Sequence, residues 1–559
     1  MATLALFGTD DLTVPGSLEE AVEHGEVFTR EWVVELILDL VGYTPDRDLA
    51  ALRLVEPACG AGAFLVPVAR RLGLSCRAHG RPLTDAINAI RGFDLLNRHV
   101  LDARDALREE LSRQGWKETA IEAVLHTWVR KGDYLLQGYR DDNPADFVVG
   151  NPPYVRIEDV PDDRMAAYRD ACVTMGGRAD LYIGFYETAL RGLRPGGRLG
   201  FICADRWMRN QYGRRLRQLI SDRYSMDLVL TMHDVDAFHE QVSAYPAVTV
   251  ISKKAQGGAV VADTTRAFDA SAAGDFLSWV HRNDETGAEE AAYQAARLPH
   301  WFSGGDSWPA ASPARLALLE DLGERFGQLE NPSSRTRVGI GVATGADKVF
   351  LTDDAELVEP DRLLPMAMVR DTVSGHIDWS GTYLVNPWSA QGDLVDLAHY
   401  PRMSAYLRKH GSVLKKRYVA TKQPTRWYKT IDKVDHALLR TPKLLFPDMK
   451  LSIHPVLDEG NLYPHHNLYY IVSDTWDLSV LGGLLLSKVA QAFVEAYAVK
   501  MRGGTLRFQA QYLRRIRVPD PAQITPEDAE ALSRAFRNRD VEAATQAALR
   551  VYGLTELPD

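Results

Sequence analysis

Cysteine is scarce in this chain of 559 residues, and its four cysteines (Cys59, Cys76, Cys172 and Cys203) follow no paired spacing. This argues against a disulfide framework or a zinc site, and it fits a reducing cytosol. A basic N-terminus followed by an apolar run is also missing, and the longest apolar run, near Leu478–Leu486, is too short to span a bilayer. We therefore expect a cytoplasmic protein with no membrane segment and no bound metal.

An overall excess of positive charge is absent too, but the local distribution of charge is uneven. The formal net charge is −10, yet the stretch from Arg402 to Lys450 has thirteen Lys and Arg against three Asp, interleaved with aromatic residues. A second cluster has no acidic residue and consists of Lys500, Arg502, Arg507, Arg514, Arg515 and Arg517. Two such runs in one half of the chain favour an anionic partner.

The order of apolar runs predicts an α/β fold at the start of the chain. From about residue 50 to 255, short Val/Ile/Leu runs alternate with helix-like segments, as in a parallel sheet covered on both faces. Seven strands are predicted, and the last pair is joined by a loop, which favours an antiparallel final strand. Their predicted ends lie near Ala58, Asp94, Asp133, Gly150, Cys203, Thr231 and Ser252.

Composition divides the chain into four predicted parts. These are an α/β domain at 1–255, an inter-domain connection rich in Ala, Gly, Asp and Glu at 256–329, an α+β domain at 330–520, and a helical segment at 521–559. Thr525-Pro526 is the start signal for the last helices. We find no internal repeat in the sequence.

The segment Asn151-Pro152-Pro153-Tyr154 directly follows a buried-strand pattern and suits chemistry on a planar amino group. The Asn151 side-chain oxygen and the Pro152 carbonyl are two acceptors, and Tyr154 would stack on the ring being held. Taken alone, the segment fits equally a strand that ends in a Pro-Pro turn.

Acidic or amide residues close successive predicted strands, and they lie where open α/β sheets bind ligands. Glu56 comes before the turn Ala58-Cys59-Gly60, which opens a helix but lacks the dinucleotide-binding spacing. Asp94 could hold ribose hydroxyls, and Asp133 could receive the amino group of an adenine ring. With Asn151, these side chains predict a binding edge.

In the order of these motifs the chain resembles the class I S-adenosylmethionine-dependent methyltransferases, and within them the TaqI-like, gamma-type amino-group DNA methyltransferases. His24 to Thr29, residues 55–62, Asp94, Asp133, Asn151 to Tyr154 and Ala179 to Tyr182 follow in the family's sequence. The resemblance implies a Rossmann-like seven-stranded methyltransferase sheet with an α+β target recognition domain. It implies S-adenosylmethionine around Phe28, Thr29, Glu56, Ala58, Gly60, Asp94, Asp133, Asn151 and Asp180.

By the same resemblance, the enzyme methylates the N6 amino group of an adenine that has left double-stranded DNA, without a covalent intermediate or a metal. Phe238 would stack opposite Tyr154, with Tyr245 as the alternative; an ordinary core position is the other interpretation of Phe238. Because the loop from residue 155 to 178 is polar and follows the catalytic turn, we expect it to close over DNA. Its Arg156 is a DNA-contact candidate.

A DNA-reading role is predicted for the second half, because Arg337 to Phe350 is similar to the opening of the family's specificity domain. The phosphate candidates are Lys415, Lys416, Arg417, Lys422, Arg426 and Lys429. His465 and His466 are candidates for reaching bases. Paired histidines also bind metals, but no third ligand at a suitable spacing accompanies them in the sequence.

Three alternatives stay open at this stage. An N4-cytosine methyltransferase uses the same chemistry, though serine is more usual at the position of Asn151. A protein glutamine methyltransferase shares Asn-Pro-Pro-Tyr but is shorter and lacks a basic second domain. A non-catalytic specificity subunit would have a broken cofactor pocket. By association we expect a restriction-modification or phage-defence setting, restriction or defence-system subunits as partners, and a monomer on DNA.

Overall fold

Ten strands in the first part of the chain form one mixed sheet. The computed structural model describes residues 28–137, 144–239, 245–282, 285–498 and 506–558. The strands are β1 Leu54–Glu56, β2 Ile90–Asp94, β3 Val129–Lys131, β4 Ala145–Gly150, β5 Leu193–Ala204, β6 Ser225–Thr231, β7 Pro246–Ser252, β8 Ala259–Thr264, β9 Gly287–Glu289 and β10 Tyr293–Leu298. Their order in the sheet is β3-β2-β1-β4-β5-β7-β6-β8-β10-β9.

The sheet separates two apolar cores because successive side chains of a strand point to opposite faces. In β4, Phe147 and Val149 join the core on one face, while Val148 joins the core on the other. Every residue of β4 is buried. Helices cover both faces, which explains why this strand is a continuous apolar run in the sequence.

The helices of this part alternate with the strands as the sequence predicts. They span Glu31–Val41, Leu65–Ala78, Asn97–Arg113, Glu118–Trp128, Tyr134–Gln137, Asp162–Ala171, Tyr182–Gly192, Arg214–Arg223, Ala270–Arg282 and Pro313–Arg325. All four cysteines are buried free thiols.

The α/β fold class and the seven predicted strands are confirmed, and each strand ends within two residues of its predicted end. β7 runs antiparallel to both neighbours, as expected from the loop that joins it to β6. The structure differs from the predicted connection at 256–329. There β8 pairs in parallel with β6 and carries β10 and β9, so the sheet has ten strands instead of seven.

The chain divides into two compact units, Met1–Ala317 and Leu318–Asp559. The second unit is α+β. Its two four-stranded sheets have the orders β12-β20-β16-β18 and β13-β15-β14-β19. These strands are β12 Arg337–Ile340, β13 Leu351–Thr352, β14 Leu363–Ala367, β15 Tyr383–Val385, β16 Lys443–Pro447, β18 Val456–Asp458, β19 Tyr463–Pro464 and β20 Leu468–Val472. Two-residue strands form two further pairs, β11 Gly327–Gln328 with β22 Arg517–Val518 and β17 Met449–Lys450 with β21 Leu506–Arg507.

Helices complete the second unit. They span Asp347–Phe350, Pro401–Lys409, Gly411–Lys415, Tyr418–Lys422, His436–Arg440, Leu478–Leu486, Lys488–Tyr497, Ala510–Leu513, Pro526–Asn538 and Val541–Tyr552. The predicted start at Thr525 is confirmed, because its hydroxyl accepts from the Asp528 N–H and Pro526 is the first helical residue. Among the described residues no single helix is long and apolar enough to cross a membrane. The bent pair Leu478–Leu486 and Lys488–Tyr497 passes that test together by length and composition alone.

Candidate active site

A cavity of about 930 Å³, counted out to its open mouth, lies at the carboxyl ends of β1 and β4. The strand order reverses between these two strands, since β2 and β3 continue to one side of β1 and β5 lies on the far side of β4. Open α/β sheets bind their ligands at such a switch point. The cavity is lined by Phe28, Thr29, Glu56, Pro57, Ala58, Cys59, Gly60, Ala61, Ala63, Phe64, Asp94, Leu95, His99, Gly132, Asp133, Tyr134, Leu135, Asn151, Pro152, Pro153, Tyr154, Tyr168, Leu181 and Phe185.

The turn after β1 is held by a carboxylate from the neighbouring strand. Gly60 has φ +49°, a left-handed conformation that favours glycine, and among the described residues no atom beyond its two chain neighbours lies within 4 Å of the position that a Cβ would take. The Gly60 N–H donates to Asp94 Oδ2 at 2.9 Å, and the Leu96 N–H donates to Asp94 Oδ1 at 2.8 Å. Asp94 therefore shapes the turn as well as lining the cavity.

Glu56 is a buried acid in the cavity lining. It is 2% exposed, and its Oε2 has no hydrogen-bond partner among the described residues. Burial, and then the nearby charge of Asp94, raise the pKa of Glu56 well above its ordinary value. A buried carboxyl in this state suits a cationic ligand, which would satisfy the oxygen and restore the charged form.

Asp133 lies at the opposite side of this pocket and is held by the helix Asp162–Ala171. Its Oδ2 accepts from the Tyr168 hydroxyl at 2.8 Å and from the Arg164 guanidinium at 3.2 Å. Burial is the main cause that raises the pKa of Tyr168 beyond its usual range, and the negative charge of Asp133 is the second. The Tyr168 hydroxyl therefore keeps its proton. Asp133 itself is one of the residues that line the cavity.

The segment from Asn151 to Tyr154 follows β4 without a break and lines the same cavity as Gly60. The Asn151 Nδ2 donates to Thr29 Oγ1 at 3.3 Å, and the Thr29 side chain is buried. This hydrogen bond orients the Asn151 amide group. Tyr154 is 8% exposed, and within the described chain its hydroxyl has no hydrogen-bond partner. The cavity thus joins the predicted catalytic turn and the glycine turn.

Two residues predicted from the sequence lie outside the cavity lining. Phe238 is 5% exposed, packs in one core of the sheet and pairs with Thr29 through a β-bridge. Its alternative, Tyr245, is 51% exposed, with its ring 5.0 Å from that of His233. Asp180 precedes the helix Tyr182–Gly192, and burial raises its pKa to about 6, while the charge of Arg156 acts in the opposite direction. Backbone pairing and core packing hold Phe238 outside the cavity lining, and Asp180 is likewise not among the lining residues.

Four aromatic lining residues, Phe64, Tyr134, Tyr168 and Phe185, were not identified as site residues from the sequence. Tyr168 comes from a helix assigned as a DNA-closing loop, and Tyr134 and Phe185 stack with ring centroids 5.9 Å apart. A signal for Tyr134 was available, because it directly follows Asp133 at a predicted strand end. Tyr168 and Phe185 depend on helix packing that spacing does not reveal.

The basic stretch of the second unit contains both exposed cations and one cation, Arg417, that bonds the protein's own backbone. Lys415, Lys416, Lys422 and Arg426 are exposed, and so is Tyr418, with 74% of its surface accessible. Arg417 differs: it donates to the carbonyls of Leu414, Thr344, Trp427 and Lys429 at 2.7–3.1 Å. Its prediction as a phosphate contact is corrected on this ground, because its donors hold the backbone together.

Other cations in these runs are also engaged within the protein. Lys429 is partly buried and donates to Gln423 Oε1 at 2.8 Å. Lys443 is fully buried against Asp458 at 2.5 Å. In the second cluster, Arg507 pairs with Asp448 and Arg514 pairs with Glu330, while Lys500 and Arg502 lie outside the described residues. The surface charge is therefore smaller than the sequence count.

His465 and His466 are placed side by side, with ring centroids 4.1 Å apart. His465 is 2% exposed, so it cannot reach a base, and its Nε2 lies 3.2 Å from Asp347 Oδ2. Burial, and then the neighbouring His466, lower the pKa of His465. The sequence showed no third ligand for this pair, but folding supplies Asp347 from 118 residues away.

Comparison with known proteins gives the class and then the family. The family described as Eco57I restriction-modification methylase matches residues 83–238. The chain is 43% identical to the Type II methyltransferase M.PaeR7I of Pseudomonas aeruginosa, over 98% of this chain and 94% of the relative. It is 44% identical to M.XhoI of Xanthomonas vasicola (96% and 98%) and 40% identical to M.BstVI of Geobacillus stearothermophilus (91% and 92%).

The sheet order and the cavity at its switch point define a class I, Rossmann-like methyltransferase fold. Within that class, the chain belongs to the family of Type II restriction-modification methyltransferases.

Proposed function

We propose that this protein is a site-specific DNA methyltransferase that transfers a methyl group from S-adenosylmethionine to the N6 amino group of adenine. The observation that carries the proposal is the shared cavity. Asn151, Pro152 and Tyr154 at the end of β4 face the same space as the Gly60 turn and the buried Glu56 carboxyl.

The residues of the cavity fit S-adenosylmethionine. This cofactor is a cation with an ammonium and a sulfonium group, and the Glu56 Oε2, which lacks a partner among the described residues, suits the ammonium. Asp94 and Asp133 close the next two strands, where ribose hydroxyls and the adenine amino group would lie. When bound, the cofactor supplies an electrophilic methyl group on sulfur.

Catalysis would rest on positioning and on hydrogen-bond acceptors. The lone pair of an exocyclic amine is delocalised into its ring, so the nitrogen is a poor nucleophile until its hydrogens are held. The Asn151 side-chain oxygen and the Pro152 carbonyl accept these two hydrogens and stabilise the positive charge that develops on nitrogen. The cofactor would supply its methyl group to the nitrogen held by Asn151 and Pro152 and would leave as S-adenosylhomocysteine, while the surplus proton of the nitrogen would pass to solvent water.

Access to a base inside a duplex requires that the nucleotide leave the stack, at a cost of a few kcal/mol. Tyr154 is placed to offset this cost by stacking on one face of the extruded base. For the other face, Tyr245 is the better candidate, because Phe238 is packed in the core. The partner is double-stranded DNA, held at phosphates by Lys415, Lys416, Lys422 and Arg426 and bound by one copy of the chain.

The biological setting proposed is modification of host DNA in the cytoplasm as part of a restriction-modification system. The first test is methyl transfer in vitro from labelled S-adenosylmethionine to double-stranded DNA of mixed sequence, followed by mass spectrometry of the released nucleosides. N6-methyladenine is the expected product. N4-methylcytosine would assign the enzyme to the cytosine class, and label in protein glutamine would reject DNA as the substrate.

A further inference from the structure

A histidine pair and an aspartate form a compact cluster in the second unit, apart from the methyl-transfer cavity. One ligand atom from each of Asp347, His465 and His466 lies within 4.8 Å of the other two. The His465 Nε2 to Asp347 Oδ2 distance is 3.2 Å. Two imidazoles and one carboxylate are a donor set that divalent transition metals accept.

Two ring nitrogens of this cluster lack a hydrogen-bond partner among the described residues. In the described part of the chain, the Nδ1 atoms of both histidines are buried and have no hydrogen-bond partner. His465 as a whole is 2% exposed, and buried polar atoms are ordinarily paired. A buried ring nitrogen without a partner is the state in which imidazole accepts a metal ion.

The backbone around the cluster is fixed from both sides. The His465 N–H donates to the Ala367 carbonyl and the His466 N–H donates to the Val342 carbonyl, each at 3.1 Å. The Thr344 hydroxyl donates to Asp347 Oδ1, which orients the carboxylate and leaves Oδ2 towards His465. Such an outer hydrogen bond is a usual support of a metal ligand.

We propose that Asp347, His465 and His466 bind one divalent transition-metal ion, with Zn²⁺ as the expected occupant. Metal–ligand distances of about 2.0–2.2 Å require two ligand atoms to lie no more than about 4.4 Å apart, so metal binding would involve at most a small movement of these side chains. The Asp347 side chain is 42% exposed and has the room for this movement.

The ion would tie the turn after β19 to the loop after β12. Arg417 donates to the Thr344 carbonyl in that loop, so the site also steadies the exposed basic segment at residues 411–429. The metal in this account is a structural tie, and it takes no part in methyl transfer.

The test is metal titration of full-length, tag-free protein after treatment with a chelator. Calorimetry with Zn²⁺ and visible absorption with Co²⁺ are each expected to give one bound ion per chain. The Co²⁺ absorption bands are expected to be those of an ion with a low coordination number. Asp347→Asn and His466→Gln are expected to weaken binding at least about 100-fold, because each removes a ligand. Asp474→Asn and His376→Gln, at exposed positions of the same unit, are the matched controls and keep one ion.

Circular dichroism and thermal melting in the presence of a chelator show whether the variants are folded. Asp347→Asn is chosen because the two side chains have nearly the same size and shape. Absence of a stoichiometric ion in the unmodified protein would overturn the proposal. Unchanged affinity in both ligand variants would overturn it equally, since the ion would then be bound elsewhere.

Discussion

Asn151 is the residue on which methyl transfer depends most in this account. Its side chain contacts Thr29 and lines the cavity, so truncation removes an acceptor without opening the core. We predict that Asn151→Ala lowers the methyl-transfer rate by about 10²-fold or more, by analogy with loss of one transition-state hydrogen bond. Affinity for S-adenosylhomocysteine should fall less than about tenfold, which calorimetry measures.

The matched control for this variant is Asn461→Ala, at an exposed position of the second unit. It should leave both the rate and the affinity unchanged. Full activity of Asn151→Ala would show that this amide holds no reacting group.

Glu56 is expected to lower the stability of the ligand-free protein at neutral pH and to strengthen cofactor binding. Its folded-state pKa is raised, so the protein favours the protonated form, and the unfavourable effect on stability grows as pH rises above the ordinary carboxyl pKa. We predict that Glu56→Gln raises the melting temperature of the ligand-free protein at pH 7 by about 2–4 °C, which corresponds to ~1 kcal/mol. This gain should shrink towards pH 4.

The same variant should bind S-adenosylhomocysteine at least about tenfold more weakly, because an amide cannot compensate the ligand ammonium. Calorimetric affinity and melting curves between pH 4 and pH 8 measure both effects. A variant that is less stable at pH 7 and binds normally would reject the role given to Glu56.

At the scale of elements, the basic segment at residues 411–429 contains two kinds of cation. Some side chains are exposed, whereas Arg417 bonds backbone carbonyls within the protein. We predict that joint replacement of Lys415, Lys416, Lys422 and Arg426 by Gln weakens DNA binding and reduces the slope of log affinity against log salt by about 3–4, near 0.9 for each phosphate contact. Fluorescence anisotropy with a short duplex at several salt concentrations measures the slope.

Arg417→Gln is the informative counterpart, since its guanidinium bonds four backbone carbonyls. It should lower the free energy of unfolding of the second unit by about 2–4 kcal/mol and change the salt slope little. An unchanged slope in the fourfold variant, or a changed slope with normal stability in Arg417→Gln, would contradict this division of roles.

The ends of β1, β2 and β4 were predictable because each of these strands is fully buried and has Glu56, Asp94 or Asn151 at its end or directly after it. The three added strands were not, since Ala259–Thr264 and its partners lie in a stretch dominated by Ala, Gly and acidic residues with weak alternation. Charge counting also failed at Arg417, because a count cannot separate a cation that faces solvent from one that caps carbonyls. Asp347 was missed as a partner of His465 because only folding joins positions 118 residues apart.

At the scale of the whole molecule, the methyl-transfer cavity belongs entirely to the first unit. We predict that saturating S-adenosylhomocysteine slows amide hydrogen exchange at residues 56–64, 94–99 and 151–154, and that exchange in residues 318–558 stays unchanged. At a ligand concentration 100 times Kd, the stabilisation should be about 2.7 kcal/mol. Protection confined to the second unit would place the cofactor elsewhere.

We propose above all that adenine in DNA is methylated in the cavity at the ends of β1 and β4. The most direct measurement is sequencing that detects modified bases in the DNA of a host that expresses this chain, compared with a host that expresses Asn151→Ala. N6-methyladenine at one recurring sequence in the first host and its loss in the second is the predicted result. Methylcytosine at that sequence, or adenine methylation that persists in the variant, would contradict the account.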